Sequence, residues 1–315
     1  MKPEAVIINV CMNIKTNEKC LIIYDDEKKD IANNLFDYCK DYFTVEKIKI
    51  SKLKYNGQEP PIEISKKMLE YDAILITTQK SLTHTNAVRD AVKNNARVAS
   101  MPGITNEIIN RAIDIDYKKM HLLIDKLCDI LDKGKEVLIT TKKGTNLKLS
   151  IENRLGFGRE DGLFYKSKKM GNLPSGEAFI APIEEKTNGK LVVDLSIAGI
   201  GKLEDEKIIF DIENGIIKNI DGKIKAKEFS NIINSVDDKN AFIACELGIG
   251  TNPKAKISGI VLEDEKVYGT CHIAFGNNIS FGGKNKVSFH SDGVIDKPTI
   301  IIDDKKIMDE GKFLV

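Results

Sequence analysis

The sequence predicts two domains of different class: an α/β, doubly wound parallel-sheet domain over residues 1–133, ending in a long linking helix, and a β-rich α+β domain over 134–315. Three observations carry this. The 315 residues exceed the usual span of one hydrophobic core. From Cys20 to about Lys133 short apolar runs alternate with helical periodicity, the mark of parallel strands joined by crossover helices. Beyond Lys135 the texture changes to short alternating strands closed by Asn-Gly and Asp-Gly turns.

In chain order, CLIIYDD reads as a strand, DIANNLFDYCKDYF as a helix, FTVEKIKI as a strand and PIEISKKMLEYD as a helix. AILITT, NAVRDAVKNNA, RVASMPG and EIINRAIDI repeat the alternation. YKKMHLLIDKLCDILDKG is a long amphipathic helix, with Met120, Leu123, Leu127 and Ile130 on one stripe and His121 on the lysine-rich side. The strands of the second half are EVLITTKKGTNLKLSIE, KLVVDLSIAGIG and EKIIFDIENGIIKNIDG, with one helix, AKEFSNIINSV, between them and the C-terminal segments. No internal repeat is visible.

Charge excludes some partners. Lys+Arg 48 against Asp+Glu 47 leaves a formal net charge of +1, so there is no basic excess for nucleic acid or an anionic membrane surface. No apolar run is long enough for a membrane span. The six cysteines are scattered, with no CxxC pair and no basic-then-apolar leader, which points to a reducing cytoplasm. The first strand ends in DDEK without GxGxxG, and Gly156 and Gly158 in GFG form an isolated pair in the wrong half, so a dinucleotide is not expected. In SLTHTNA, Thr83 or Thr85 reads as a helix cap, with His84 exposed beside it.

Chemistry concentrates in the second half. Glu177 (LPSGEAFIAPIE) and Glu246 (ACELGIGTNP) each stand in an apolar strand, where a carboxylate must be paired, hydrogen-bonded, bound to a cation or exposed at the strand end. His272 (CHIAFGNN) points either at a core partner or into a site. His290 and Asp292 (SFHSDGVI) lie two apart, so an extended strand turns both to one face. Alternation would turn Cys245 and Cys271 to the opposite face as small buried hydrophobes. Five oxygen and imidazole donors with no thiolate suit zinc, cobalt, manganese or iron(II) at a catalytic site. They exceed one closed tetrahedral shell, which points to two ions sharing a carboxylate and to hydrolysis of an amide.

GEAFIAPIE, ELGIGTNP, HIAFGNN and HSDGVI, with SLTHTNAVRDA and MPGIT in the first half, resemble the aminopeptidase T/aminopeptidase S family from roughly Cys20 to the C-terminus. The resemblance implies a cytoplasmic, homodimeric metallo-aminopeptidase acting on short peptides. Its two divalent ions, zinc or cobalt, would be held by Glu177, Glu246, His272, His290 and Asp292, with Glu177 or Glu246 as the catalytic carboxylate. A departure lies at Ile279, where active family members carry tyrosine; Asn277, Asn278, Ser280 and Lys284 are the polar groups nearby. A related branch resembling dihydroxypyridine dioxygenases needs only His272, His290 and Asp292, as a facial triad on iron(II) that opens an aromatic ring with dioxygen. A third alternative is a metal- or ligand-binding protein without catalysis.

Overall fold

The apolar run of Lys19–Tyr24 has four consecutive buried residues, which a strand acquires only when both faces of its sheet are covered. In the computed structural model, which describes residues 1–156, 158–166 and 169–315, it is the second strand of a five-stranded sheet. Across that sheet the order is Thr44–Lys49, Lys19–Tyr24, Ala73–Thr77, Arg97–Ser100 and Met170–Asn172, all parallel. Helices Lys29–Cys39, Ile62–Met68 and Asn86–Lys93 alternate with the first four strands. Leu21, Ile23, Ile74, Ile76 and Val98 form a buried cluster with Met68 and Val88. Thr85 caps Asn86–Lys93, accepting from Val88 N at 3.3 Å.

One compact unit consists of Met1–Tyr117 with Glu160–Ser175, so its fifth strand comes from the second half of the sequence. The other consists of Lys118–Arg159 with Gly176–Val315, and takes in most of the helix Tyr117–Lys133. Phe157 of the GFG motif lies outside the described residues. His121, placed on the open side of that helix by sequence, is half-buried with Nε2 3.3 Å from Asp125 Oδ2. Among the described residues no helix is long and apolar enough to cross a membrane, and the six cysteines are free and buried.

The second unit is built from two antiparallel sheets. The eight-stranded sheet runs from Ile216–Gly222 through Ile208–Glu213, Thr187–Val193, Asn146–Ser150, Glu136–Thr140, Thr299–Ile302 and Lys305–Asp309 to Lys312–Phe313. The six-stranded sheet has the order Gly201–Lys202, Ser196–Ile197, His290–Ile295, Cys271–Gly276, Ala244–Gly250 and Glu177–Ile180. Its last four strands are those that carry the five sequence-derived donors.

Candidate metal centre

Register fixes which side chains share a face. Glu177 is opposite Gly250, Gly248 opposite His272, Glu246 opposite Ala274, Ala274 opposite Asp292, and Gly276 opposite His290. Directly paired residues project to the same side of a sheet, so all five donors leave one face. Each is set against glycine or alanine on at least one side, with Val294 flanking His272 on the other, so the donors have room to lie over the sheet and meet. At Gly248 the clearance is essential: a Cβ there would lie 2.0 Å from His272 Nε2.

The donors form a continuous chain of contacts. His272 Nε2 is 3.5 Å from Glu177 Oε2 and 3.7 Å from Glu246 Oε1; His290 Nε2 is 3.3 Å from Glu246 Oε2 and 3.2 Å from Asp292 Oδ1. Donors bound at about 2.1 Å around a tetrahedral ion stand about 3.4 Å apart, so these separations fit shared cations. With Glu265 as a sixth, they resolve into two groups whose donor atoms lie within 4.8 Å of one another: Glu246, His290 and Asp292, and Glu177, Glu265 and His272. Glu246 links the two groups.

The imidazoles are oriented from behind. His290 Nδ1 is 2.9 Å from the Asn277 carbonyl, to which it donates, leaving Nε2 as the atom turned to Asp292 and Glu246. The His290 side chain is 34% exposed, whereas Glu177, Glu246, His272 and Asp292 are buried, so the centre opens to solvent on the His290 side. Behind His290 the alternation rule fails. The ladder slips between Ala244 and Glu246, a bulge that re-aims Cys245. Its Sγ lies 3.7 Å from His290 Nδ1 instead of on the far face. Burial, outweighing His290, pushes the Cys245 thiol up to about 11, so it is a protonated neighbour and not a thiolate ligand.

The electrostatics ask for positive charge. Burial favours neutral His272, but Glu246, Glu177 and Asp292 overcome it and push the imidazole up to about 9. His290 is raised well above its ordinary value, again against burial, chiefly by Asp292. Burial works to raise Glu246 and Asp292, yet the imidazoles hold Glu246 far below the carboxylate range and keep Asp292 low. A donor set that retains protons on imidazole in this way suits a divalent cation, which takes the place of those protons.

Two participants were not among the sequence-derived candidates. Lys266 is completely buried, its Nζ 2.5 Å from Glu177 Oε1 and 2.7 Å from Glu265 Oε1. Burial is the largest influence on Glu265 and pushes it up to about 8, against the attraction of Lys266. A Cβ on Gly250 would lie 2.1 Å from the Val267 carbonyl, so glycine lets the backbone that carries Lys266 press onto the strand facing Glu177. Ile279 is half exposed at the start of the turn Ile279–Phe281. Asn278 is engaged within the loop, donating to Glu184 Oε1 at 3.1 Å and accepting from Asn285 N at 2.8 Å.

Comparison with known proteins adds the family. A family model described as NicX, 2,5-dihydroxypyridine 5,6-dioxygenase, matches residues 42–315. The 2,5-dihydroxypyridine 5,6-dioxygenase of Pseudomonas putida KT2440 is 23% identical over 255 residues, covering 76% of this chain and 70% of its own length. Among solved structures, 2,5-dihydroxypyridine dioxygenase from Pseudomonas putida KT2440 matches with a TM-score of 0.83 at 17% identity, covering 99% of this chain and 97% of the other. AmpT from Thermus thermophilus matches with a TM-score of 0.73, also at 17% identity, covering 100% and 99%. Both structural likenesses concern the fold.

Proposed function

The chain belongs to the 2,5-dihydroxypyridine 5,6-dioxygenase family, and from that premise we propose that it is a metal-dependent enzyme that opens a dihydroxylated aromatic ring with dioxygen. The ion would be iron(II), held by His290 and Asp292 together with His272 from the adjoining donor group. The reading is carried by the family match through all five donor positions, together with the Lys266 ammonium lying in the group where a two-ion hydrolase needs its second cation.

Iron(II), held by His272, His290 and Asp292, would supply redox activation of dioxygen. The rest falls to the chain. The Asn277 carbonyl holds the His290 ring so that Nε2 faces the ion's position. Gly248 gives His272 its place over the sheet. Glu246 is the carboxylate beyond the triad that touches both imidazoles, and it accepts the proton of a ring hydroxyl at Oε1 or Oε2. Burial of four of the five donors restricts water to the His290 side, where the centre opens to solvent. Both atoms of dioxygen enter the opened ring, so no external reductant is consumed.

The aminopeptidase reading uses the same five donors, and the presence of Glu177 and Glu246, which a triad does not require, is the observation in its favour. Oxygen uptake separates the two. Protein loaded anaerobically with Fe²⁺ should consume dioxygen in proportion to 2,5-dihydroxypyridine lost, and should leave an unblocked dipeptide intact. Release of free amino acids without oxygen uptake would establish the hydrolase instead.

A further inference from the structure

Lys266 is an unusual occupant of a metal centre. It follows the short helix Val261–Asp264 and is fixed at its backbone: its N–H donates to the Glu263 carbonyl at 3.0 Å, and its carbonyl accepts from Asn252 N at 2.8 Å. The side chain is 0% exposed. Its Nζ bridges Glu177 Oε1 and Glu265 Oε1, while Glu177 Oε2 turns to His272 Nε2. Thus an ammonium is bonded to both carboxylates of a group whose donor atoms are spaced as for a divalent ion.

We propose that Lys266 is the built-in cation of the Glu177–Glu265–His272 group, restricting the centre to one exchangeable metal ion and setting the orientation of Glu177 toward His272. The inference rests on the reading that a metal binds at His272, His290 and Asp292. An ion in the second group needs carboxylate oxygens at about 2.0–2.2 Å, and one oxygen of each carboxylate, Glu177 Oε1 and Glu265 Oε1, is already bonded to Nζ. Entry of that ion would set a divalent charge beside the buried ammonium or pull the carboxylates away from it, a heavy penalty either way. The side chain has little freedom to leave, because the Val267 carbonyl is pressed against Gly250. Lys266 is therefore a positioning residue: it holds one Glu177 oxygen so that the other faces the imidazole.

Counting ions tests this without any assay of turnover. Native mass spectrometry and elemental analysis of the whole chain saturated with Co²⁺ should give one ion for wild type and one for Lys266→Arg, which keeps the cation. Lys266→Met should bind two, because the Glu177 and Glu265 carboxylates are then released from the ammonium and can hold a second ion beside the one His272 ligates. Should Lys266→Met fold poorly alone, Co²⁺ should restore its thermal unfolding transition with two ions bound. The double variant Glu265→Gln/Lys266→Met removes the pair together and should return to one. Two ions in wild type, one in folded Lys266→Met, or a Lys266→Met chain that stays unfolded in saturating Co²⁺ would each overturn the proposal. These counts are separate from the ring-opening assay: a chain that opens no ring but takes one ion as wild type and two as Lys266→Met refutes the dioxygenase reading and upholds this one.

Discussion

Replacing Gly248 by alanine should disable the centre while leaving the sheet in place. The added Cβ would lie 2.0 Å from His272 Nε2 and 2.1 Å from its Cε1. Nonbonded heavy atoms settle at about 3.5 Å, so the imidazole must retreat by about 1.5 Å. Its surroundings are close-packed, with the side chain 1% exposed, and the overpacking should cost about 1–3 kcal/mol of stability. Placement matters more. A misplacement of about 1 Å can cost on the order of 100-fold in rate, and a donor moved by more than that leaves the bonding range of any ion held by the other ligands. Turnover by Gly248→Ala is therefore expected to fall at least about 100-fold, with bound iron falling alongside and circular dichroism unchanged. Iron content, kcat and thermal unfolding on one preparation make the measurement. A folded Gly248→Ala protein with wild-type iron and wild-type kcat would refute the placement of His272 over this strand.

Four further outcomes are expected. Glu246→Gln should retain iron on the triad while ring opening falls about 100- to 10,000-fold, the range for a lost proton acceptor; loss of iron would make Glu246 a ligand. Glu184 accepts from Arg154 at 2.5 Å and from Lys284 N at 2.6 Å, which hold its carboxyl low against burial. Its folded value lies below its unfolded one, so its stabilisation is complete above about pH 4.3 and fades as pH falls through the folded value; the denaturation midpoints of wild type and Glu184→Gln should differ at pH 7 and converge in acid. Thr85→Ala removes the cap and a buried hydroxyl that donates to the Leu82 carbonyl at 2.7 Å. It should cost about 0.5–2 kcal/mol in chemical denaturation without altering kcat. Cys245→Ala should leave kcat nearly unchanged, because His290 Nδ1 keeps its shorter bond to the Asn277 carbonyl; a large loss would give the thiol a role in orienting the ring.

Periodicity carried the sequence a long way in this chain. The apolar runs at 20–24, 73–77 and 97–100 are buried strands of a parallel sheet, and the spacing of His290 and Asp292 does put both on one face. Its failures have local causes. Met170–Asn172 is only three residues long and joins the sheet through a partner far away in sequence, so no window of the chain announces it. Cys245 breaks alternation because one extra residue enters the ladder, which depends on its partner strand and not on its own neighbours.

Lys266 was hidden for a different reason. VLEDEKVYG has the composition of a solvated turn, yet Glu263, Asp264 and Lys266 are each 0% exposed. Burial is tolerable because each charge is met: Glu263 accepts from Lys256 N at 3.0 Å, Asp264 from Ser258 N at 2.7 Å, and Lys266 donates to two carboxylates. Glu177 comes from a distant strand, and the nearer partners meet these charges only because the loop folds back on itself, so composition alone misreads the run. What does survive in the sequence is the pair of glycines in ELGIG. With the register known, Gly248 opposite His272 marks where an imidazole must lie, and Gly250 opposite Glu177 marks where the backbone that delivers the lysine must cross. The absence of side chains at these two positions specifies the centre as firmly as the donors themselves, because a Cβ at either one would occupy space that the centre already uses.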